Sequence, residues 1–443
     1  MFQTPSLWST LIPSICLEPY ALRTFLDFSD SHPLDVSIAL KEWTEQGDDA
    51  LATIFGVSEC VRALFLGVPW WDEREEWQAF DIHPSFSSLE CLEMDGSLDI
   101  HFAHDLLDHI LPTARSLSSL AFRSFTVQWD RLGPHLSQTI TKLRLINAYA
   151  GGTNEQYGVL DILNSLPALE CITIQDSRPC SAPEAYLARW SRKITFPNLK
   201  YLKIRGPLAT VTSLLGAVSS YTSSRLVVVV TLKGDEDMRN TYTEVLSCIA
   251  LPSDTFTVSL SFCYWESVVH LSFDSLPHDK PLVTITFSYS SYKHRLSAGV
   301  FSNHLSQKVP NILPNVQDVL LVDEYDFTER FRISPSVNNV ATLALQPGQD
   351  GGNVDIRPKP DEDIVVFPNL RRLRIEGVIF EEWVRSQLSE ILETWDKLGY
   401  RVPLLSLTRC SIPDMTGGTK GPEDFKKWLG DRVDILELNG TIL

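Results

Sequence analysis

Apolar residues recur along this chain with the spacing i, i+3, i+5, and short polar segments separate one such triplet from the next. The clearest copies are Phe196–Gly206 (FPNLKYLKIRG) and Phe367–Gly377 (FPNLRRLRIEG), which agree at seven of eleven positions. A pattern L-x-x-L-x-[L/I] that recurs within one chain indicates one small structural unit used repeatedly.

Fourteen triplets can be placed between Val61 and Val433, and their average separation of about 29 residues lies at the upper end of leucine-rich-repeat lengths. They begin at Val61, Leu89, Leu117, Ile140, Leu169, Leu199, Val227, Thr257, Leu282, Val316, Val340, Leu370, Val402 and Val433. A further triplet at Val268 breaks the period. We therefore leave the register between Thr257 and Phe287 open and allow for an extra strand pair there.

Amphipathic segments of helical period lie between many of the triplets. They cover 102–111, 157–166, 184–191, 211–221, 242–250, 384–395 and 423–430. Strand, turn, helix, turn at this period predicts an α/β leucine-rich-repeat solenoid, or horseshoe, with parallel strands on the concave face and helices on the convex face.

The residues that follow the triplets predict how each strand ends. Gly96, Gly206, Gly377 and Gly440 stand two places beyond a triplet, and we expect each to take a positive φ angle that turns the chain out of its strand. The polar stretch 347–363 has no apolar period, and we interpret it as a flexible insertion loop.

Residues 1–60 differ from the remainder of the chain. The stretch 17–29 has helical spacing, Leu34, Val36 and Ile38 alternate as in a short strand, and 48–55 predicts one or two helical turns. We therefore predict an N-terminal cap over 1–60 and a repeat array over 61–443.

Two signatures in this sequence resemble fungal F-box proteins with leucine-rich repeats. Thr4, Pro5, Leu7 and Trp8 match the segment that follows the F-box in that family. Pro33, Leu34, Val36 and Ile38 match the strand that opens its repeats.

The resemblance implies a substrate-recognition protein of a cullin-type ubiquitin ligase. In that family the F-box binds the cullin adaptor, and the repeats hold the substrate. The chain begins where the F-box should just have ended, so either the sequence is truncated or this member lost its F-box. The alternative is a repeat scaffold with no role in ubiquitination.

Composition narrows the classes of partner. Hydrophobic residues make up 44% of the chain and charged residues 21%, as in folded globular proteins. The net charge of −18 repels phosphate backbones and anionic membrane surfaces, so we expect no nucleic-acid or membrane partner, and any partner steered by charge should be basic. The eight cysteines form no C-x-x-C pair, and the start lacks a basic signal-peptide region, which favours free buried thiols in an intracellular, cytoplasmic or nuclear protein.

Candidate binding residues come from one loop and from the strands. The loop is WWDEREEW, whose aromatic residues over an acidic base suit a basic peptide or simply cover the end of the core. The strand positions between the buried ones are charged and predict a concave binding face, although any solvated sheet face needs polar residues. The chosen residues are Trp70, Trp71, Trp77, Lys142, Arg144, Lys200, Lys203, Arg371 and Arg374.

The helix HFAHDLLDH, His101 to His109, raises one further possibility. His104 with Asp108, and Asp105 with His109, have the i, i+4 spacing that can hold a divalent ion, which suggests a metal-dependent hydrolase as a weaker alternative. A solvated helix face explains Asp105, Asp108 and His109 without a metal. The sequence has no G-x-S-x-G, P-loop, H-E-x-x-H or G-x-G-x-x-G motif, so we predict a protein that is not an enzyme and needs no cofactor or metal.

Overall fold

The computed structural model divides the chain into two compact units, Met1–Val227 (the N-terminal unit) and Val228–Leu443 (the C-terminal unit). The residues that it describes are 10–11, 24, 26–29, 32–39, 45–67, 84–96, 100–136, 138–150, 159–177, 194–218, 225–232, 244–249, 256–263, 268–275, 283–289, 316–322, 339–346, 369–413 and 421–442. The tryptophan-rich loop 70–77, the predicted helix 184–191 and the predicted insertion loop 347–363 lie outside these residues.

The N-terminal unit contains eight parallel strands that are neighbours in the order in which they occur along the chain. They are β1 (Thr10–Leu11), β2 (Leu34–Ala39), β3 (Val61–Gly67), β4 (Cys91–Asp95), β5 (Ser119–Arg123), β7 (Lys142–Ile146), β9 (Cys171–Gln175) and β10 (Tyr201–Pro207). Two short strands, β6 (Thr126–Val127) and β8 (Tyr149–Ala150), form a separate parallel pair. Another strand, β11 (Arg225–Leu232), begins in this unit and ends in the next.

The helices of this unit lie between the strands, as the helical period predicted. They are α1 (Glu45–Gly56), α2 (Ile100–Ile110), α3 (Trp129–Leu132), α4 (Val159–Ser165) and α5 (Leu208–Ala217). Leu106, Leu107 and Ile110 of α2 are fully buried, as are Leu92 and Leu120 of the strands. One side of each of these helices therefore contributes to the same kind of apolar core as the strands do.

In-register pairing stacks the apolar triplets into continuous rows. The second apolar residues form one row, Leu64, Leu92, Leu120, Leu143, Ile172 and Leu202. The third form another, Leu66, Met94, Phe122, Leu145, Ile174 and Ile204. Every member of both rows is buried, which confirms the inward positions that the spacing predicted. The first apolar residues Leu89, Leu117, Ile140, Leu169 and Leu199 lie in the turn before the strand and are buried too, whereas Val61 is the buried first residue of β3.

Residues in the left-handed backbone conformation, with positive φ, turn the chain at the ends of several strands, and most of these residues are not glycine. Gly96, Gly377 and Gly440 have positive φ as predicted, but Gly206 does not, because β10 continues through it to Pro207. The other corners use Ser124, Asn147, Asp176, Arg409 and Asn439, each with φ near 50°. Asn and Asp tolerate this conformation better than most residues, because a short polar side chain can hydrogen-bond locally.

The C-terminal unit combines an antiparallel part with a parallel part. Its strands are β12 (Phe256–Cys263), β13 (Val268–Ser275), β14 (Val283–Tyr289), β15 (Val316–Val322), β16 (Thr342–Gln346), β17 (Arg372–Glu376), β18 (Val402–Thr408), β19 (Val433–Leu438) and β20 (Thr441–Ile442). The described helical segments of this unit are α6 (Glu382–Lys397), α7 (Pro422–Gly430) and residues 244–248.

The triplets at Leu282 and Val268 belong to antiparallel strands, so the prediction of parallel strands throughout is wrong here. β13 pairs antiparallel with both β12 and β14, whereas β12 pairs parallel with β15. From β15 the parallel order resumes through β16, β17, β18 and β19, and β20 returns antiparallel. Few residues separate β12 from β13, and antiparallel pairing is what such a short connection permits.

Two further details of the triplet assignment need correction. In β11 the buried residues are Leu226, Val228, Val230 and Leu232, so Val227 is on the other face and only half-buried. Strict alternation replaces the i, i+3 step there, because the whole stretch lies within the strand and no turn precedes its second apolar residue. Leu370 and Leu438 are also only half-buried.

Among the described residues, no helix is both long and apolar enough to cross a membrane. The described cysteines Cys60, Cys91, Cys171, Cys248 and Cys410 are free thiols. Only Cys410 is buried, so the expectation of buried thiols holds for one of these five. Burial raises the pKa of the Cys410 thiol, which keeps it protonated at neutral pH.

Candidate functional site

The strand face opposite the buried rows in the N-terminal unit is partly accessible to solvent, and it carries three of the nine predicted binding residues, Lys142, Arg144 and Lys203. Successive residues of a strand point to opposite faces, so the residues between the buried ones share this open face. One row across the sheet is Ala63, Cys91, Ser119, Lys142, Cys171 and Tyr201. The next row is Phe65, Glu93, Ala121, Arg144, Thr173 and Lys203.

Main-chain hydrogen bonds before each strand hold these rows in register. The amide of Lys142 donates to the carbonyl of Ser118 at 3.0 Å, and the amide of Cys171 donates to the carbonyl of Thr141 at 2.9 Å. The amide of Tyr201 donates to the carbonyl of Glu170 at 3.0 Å. Each turn thus repeats the hydrogen bond of the previous one. These main-chain hydrogen bonds, and not contacts between side chains, fix the positions of the side chains on the open face.

Three carboxylates on and beside this face have cationic partners. Glu93 Oε1 lies 2.5 Å from Arg123 Nε, and Glu170 Oε2 lies 2.8 Å from Lys200 Nζ. At the rim Asp176 Oδ2 lies 3.0 Å from Arg205 Nε. Lys200, a predicted binding residue, is therefore already paired with Glu170.

Three predicted binding residues of this face, Lys142, Arg144 and Lys203, form no ion pair with any residue that the structure describes. Lys142 and Arg144 are exposed, and Lys203 is half-buried. Their neighbours across the sheet are uncharged, so their charge is not neutralised locally by the described part of the chain. We call Lys142, Arg144 and Lys203 the basic cluster.

The cations on the strand face of the C-terminal unit are arranged differently, because two of them pair with carboxylates. Arg372 Nη2 lies 3.3 Å from Glu437 Oε2, two strands away. Arg374 Nη2 lies 2.8 Å from Glu376 Oε2, and Arg409 pairs with the other oxygen of the same carboxylate.

Glu376 is only 9% exposed, so Arg374 acts there as the partner of a buried acid. Arg371, in the turn before β17, is exposed, and its amide donates to the carbonyl of Ala341 at 2.8 Å. Arg371 and Arg374 are the two residues predicted to bind a partner in this unit. Because Arg374 pairs with the buried Glu376, it has a structural role.

The polar residues of helix α2 are engaged with the segment after β5. Arg131 of α3 reaches both carboxylates, with Nη2 at 2.6 Å from Asp105 Oδ1 and Nε at 2.7 Å from Asp108 Oδ2. These two ion pairs hold α3 against α2. The side chain of His101 lies outside the described residues.

His104, which the metal hypothesis paired with Asp108, is fully buried. Its Nε2 lies 3.0 Å from the amide nitrogen of Gln128, and its ring packs edge-on against Phe125 at 5.8 Å between centroids. The Gln128 N–H can only donate, which favours the neutral ring with Nε2 as acceptor. Burial lowers the pKa of His104, against a smaller opposing effect of the Thr126 carbonyl.

These contacts account for Asp105, Asp108 and His104 as parts of the packing between α2 and residues 124–135. Within the described ranges no group of three His, Cys, Asp or Glu side chains is placed to hold a metal ion.

Sequence reasoning selected cations one at a time and missed which of them are neutralised. Arg123 and Arg205, which pair with Glu93 and Asp176, were not among the predicted binding residues. The signal that would have found these pairs is the strand register, because it aligns residues 23 to 30 positions apart in the chain. Trp70, Trp71 and Trp77 lie outside the described residues, so their predicted role stays a prediction.

Neither a scan against models of known protein families nor a search of curated proteins finds a match to this chain.

Proposed function

We propose that both units are stretches of a leucine-rich-repeat array, and that the protein is an interaction module whose open strand face binds another protein. Parallel strands that follow chain order, with rows of leucine on one face, support the array. In most α/β proteins a parallel sheet is covered on both faces, whereas repeat arrays leave one face uncovered as an extended binding surface.

The observation that carries the proposal is the accessible face of six consecutive strands, β3, β4, β5, β7, β9 and β10. Their side chains lie in register at fixed spacing and include both charge signs, hydroxyls and an aromatic ring at Tyr201. Such a surface offers hydrogen bonds and charge at regular intervals to a partner that lies across it.

A photo-crosslinking residue tests this proposal directly. We would place it at Thr173, in the centre of the open face, and for comparison at the exposed Asn164 on helix α4. The proposal predicts a protein adduct in cells from position 173 and none from position 164. Equal adduct formation at the two positions, or none at either, would refute binding through the strand face.

We extend the proposal to substrate recognition in a cullin-type ubiquitin ligase, the role implied by the resemblance to F-box proteins with leucine-rich repeats. Leu34, Val36 and Ile38 support it, because they form β2 beside the first strand of the array, β3. The test is native purification of the protein expressed from its own locus. Recovery of the cullin adaptor is expected, and its absence would leave only the binding role.

A further inference from the structure

We propose that the basic cluster of the N-terminal unit binds an acidic, extended segment of the partner protein, with Lys142, Arg144 and Lys203 contacting its carboxylates. The inference rests on the proposed protein-binding function and adds the chemistry of the partner to it.

The cluster has the spacing of an extended chain. Lys142 and Arg144 are alternate residues of β7, so their Cα atoms lie on one face about 7 Å apart. Lys203 is two strands further on, with Thr173 between, so its Cα lies about 10 Å from that of Arg144. Alternate side chains of an extended peptide are also separated by about 7 Å, so acidic residues at i and i+2 of a partner segment match Lys142 and Arg144.

The charge balance around the cluster favours an anionic occupant. Arg144 lies between Ala121 and Thr173, and Lys142 lies between Ser119 and Cys171. The nearby carboxylates Glu93 and Glu170 are already paired, and Asp95 lies at the end of β4, two strands away from β7. Carboxylates from a partner can form short charge-assisted hydrogen bonds here without displacing an existing ion pair.

A short acidic protein segment fits this setting better than a nucleic acid does. The whole chain carries a net charge of −18, which repels a long polyanion at every position beyond the cluster. That net charge predicts a basic partner at long range. Within a Debye length, on the order of 10 Å, the three local cations make the electrostatic potential positive instead, so that a carboxylate is attracted there.

The experiment is a fluorescence anisotropy titration of the full chain with a short labelled peptide in which Glu and Ser alternate. The test variant is Lys142→Glu combined with Arg144→Glu. The matched control, Arg115→Glu combined with Lys427→Glu, makes the same change in net charge at two exposed positions, one in the turn between α2 and β5 and one on α7. Circular dichroism confirms that each variant is folded.

We expect the peptide to bind the natural chain and the control variant, to bind the test variant about tenfold or more weakly, and to lose affinity as salt is raised. A peptide with Gln in place of Glu should not bind. Equal binding to the test and control variants, or equal binding of the Gln peptide, would overturn the proposal. Tighter binding of an oligothymidylate of equal length through the same two residues would overturn it too, in favour of a nucleic-acid site.

The outcomes separate this inference from the function on which it rests. A protein adduct at position 173 together with peptide binding that ignores the charge reversal removes the acidic partner and leaves the protein-binding face intact. Peptide binding that needs the cluster, without any protein adduct at position 173, removes the proposed function instead.

Discussion

Replacing Leu202 by alanine tests the inward and outward assignment of the strand residues. Leu202 lies in β10, is 1% exposed and stands in register with Ile172 in a row of buried side chains. Because in-register neighbours cannot close around a missing isobutyl group without moving their own strands, the substitution leaves a cavity. We expect a loss of about 3 kcal/mol, within the range of buried Leu→Ala changes. Leu202→Asp should cost more, since it buries a charge with no partner.

Lys203→Ala is the matched control. Lys203 is the next residue along the same strand, but its side chain lies on the open face and has no ion-pair partner among the described residues. Its removal should change stability by no more than about 0.5 kcal/mol. The two neighbouring substitutions should therefore differ in their effect on the free energy of opening, and this difference corresponds to roughly a hundredfold in the equilibrium constant for opening.

Native-state hydrogen exchange measures this difference locally, which matters because repeat arrays need not unfold in one step. Peptides that cover β9 and β10 should exchange roughly a hundredfold faster in Leu202→Ala than in the natural chain, at a pH where opening is in rapid equilibrium. Lys203→Ala should exchange at the natural rate. If both variants accelerate exchange equally, or neither does, the assignment of the two faces is wrong.

Three other predictions concern pH, a strand corner and a buried acid. His104 has a lowered pKa in the folded protein, so below about pH 6.5 the unfolded chain binds the extra proton and stability falls; His104→Gln should flatten the decline in melting temperature on acidification. Ser124→Gly should raise stability by about 0.5–1 kcal/mol in urea unfolding, because Ser124 has φ 50°. Arg374→Ala should lower stability by about 1–2 kcal/mol in urea unfolding, because it removes one of the two Arg partners of the buried Glu376.

Each of these predictions has its own control. His104→Gln must keep its stability at pH 8, since the amide oxygen can still accept from Gln128, and an unchanged pH slope would show that another group causes the acid sensitivity. Ser119→Gly, in a strand with ordinary φ, should have the opposite sign to Ser124→Gly. Were Arg374→Ala as neutral as Lys203→Ala, the contact with Glu376 would carry no stability.

The periodicity of the sequence predicted the element order and the core in detail. The i, i+3, i+5 spacing identified every strand from β3 to β10 in the main sheet, and its second and third residues are buried there without exception. The prediction succeeds because the same local pattern, a turn followed by a strand with alternating apolar residues, is repeated, and each repeat buries the same positions. The helical segments around α2, α4, α5, α6 and α7 followed from the same reasoning.

The incorrect predictions share a physical cause: the local sequence pattern does not record the tertiary contacts that decide the structure at those positions. Antiparallel β13 and β14 show the same apolar alternation as parallel strands, because alternation records burial and not strand direction. Gly206 stands where Gly377 stands in the near copy, yet only Gly377 turns the chain, since β10 continues to Pro207. His104 reads as polar in the pattern, but it accepts a main-chain hydrogen bond in the core.

For the strands from β3 to β10 in the main sheet, the sequence by itself determined where each strand lies and which of its residues point inward, because the spacing of apolar residues follows the side that is buried. The tertiary structure alone decided the strand directions, the corners and the pairing of charges. Lys142, Lys200 and Arg374 look alike as cations between apolar positions. Only the register, which brings residues distant in the chain to one face, gives Lys200 its carboxylate Glu170 and gives Lys142 none among the described residues. Arg374 pairs with Glu376 of its own strand, but it is the fold that buries this carboxylate and adds Arg409 as a second partner.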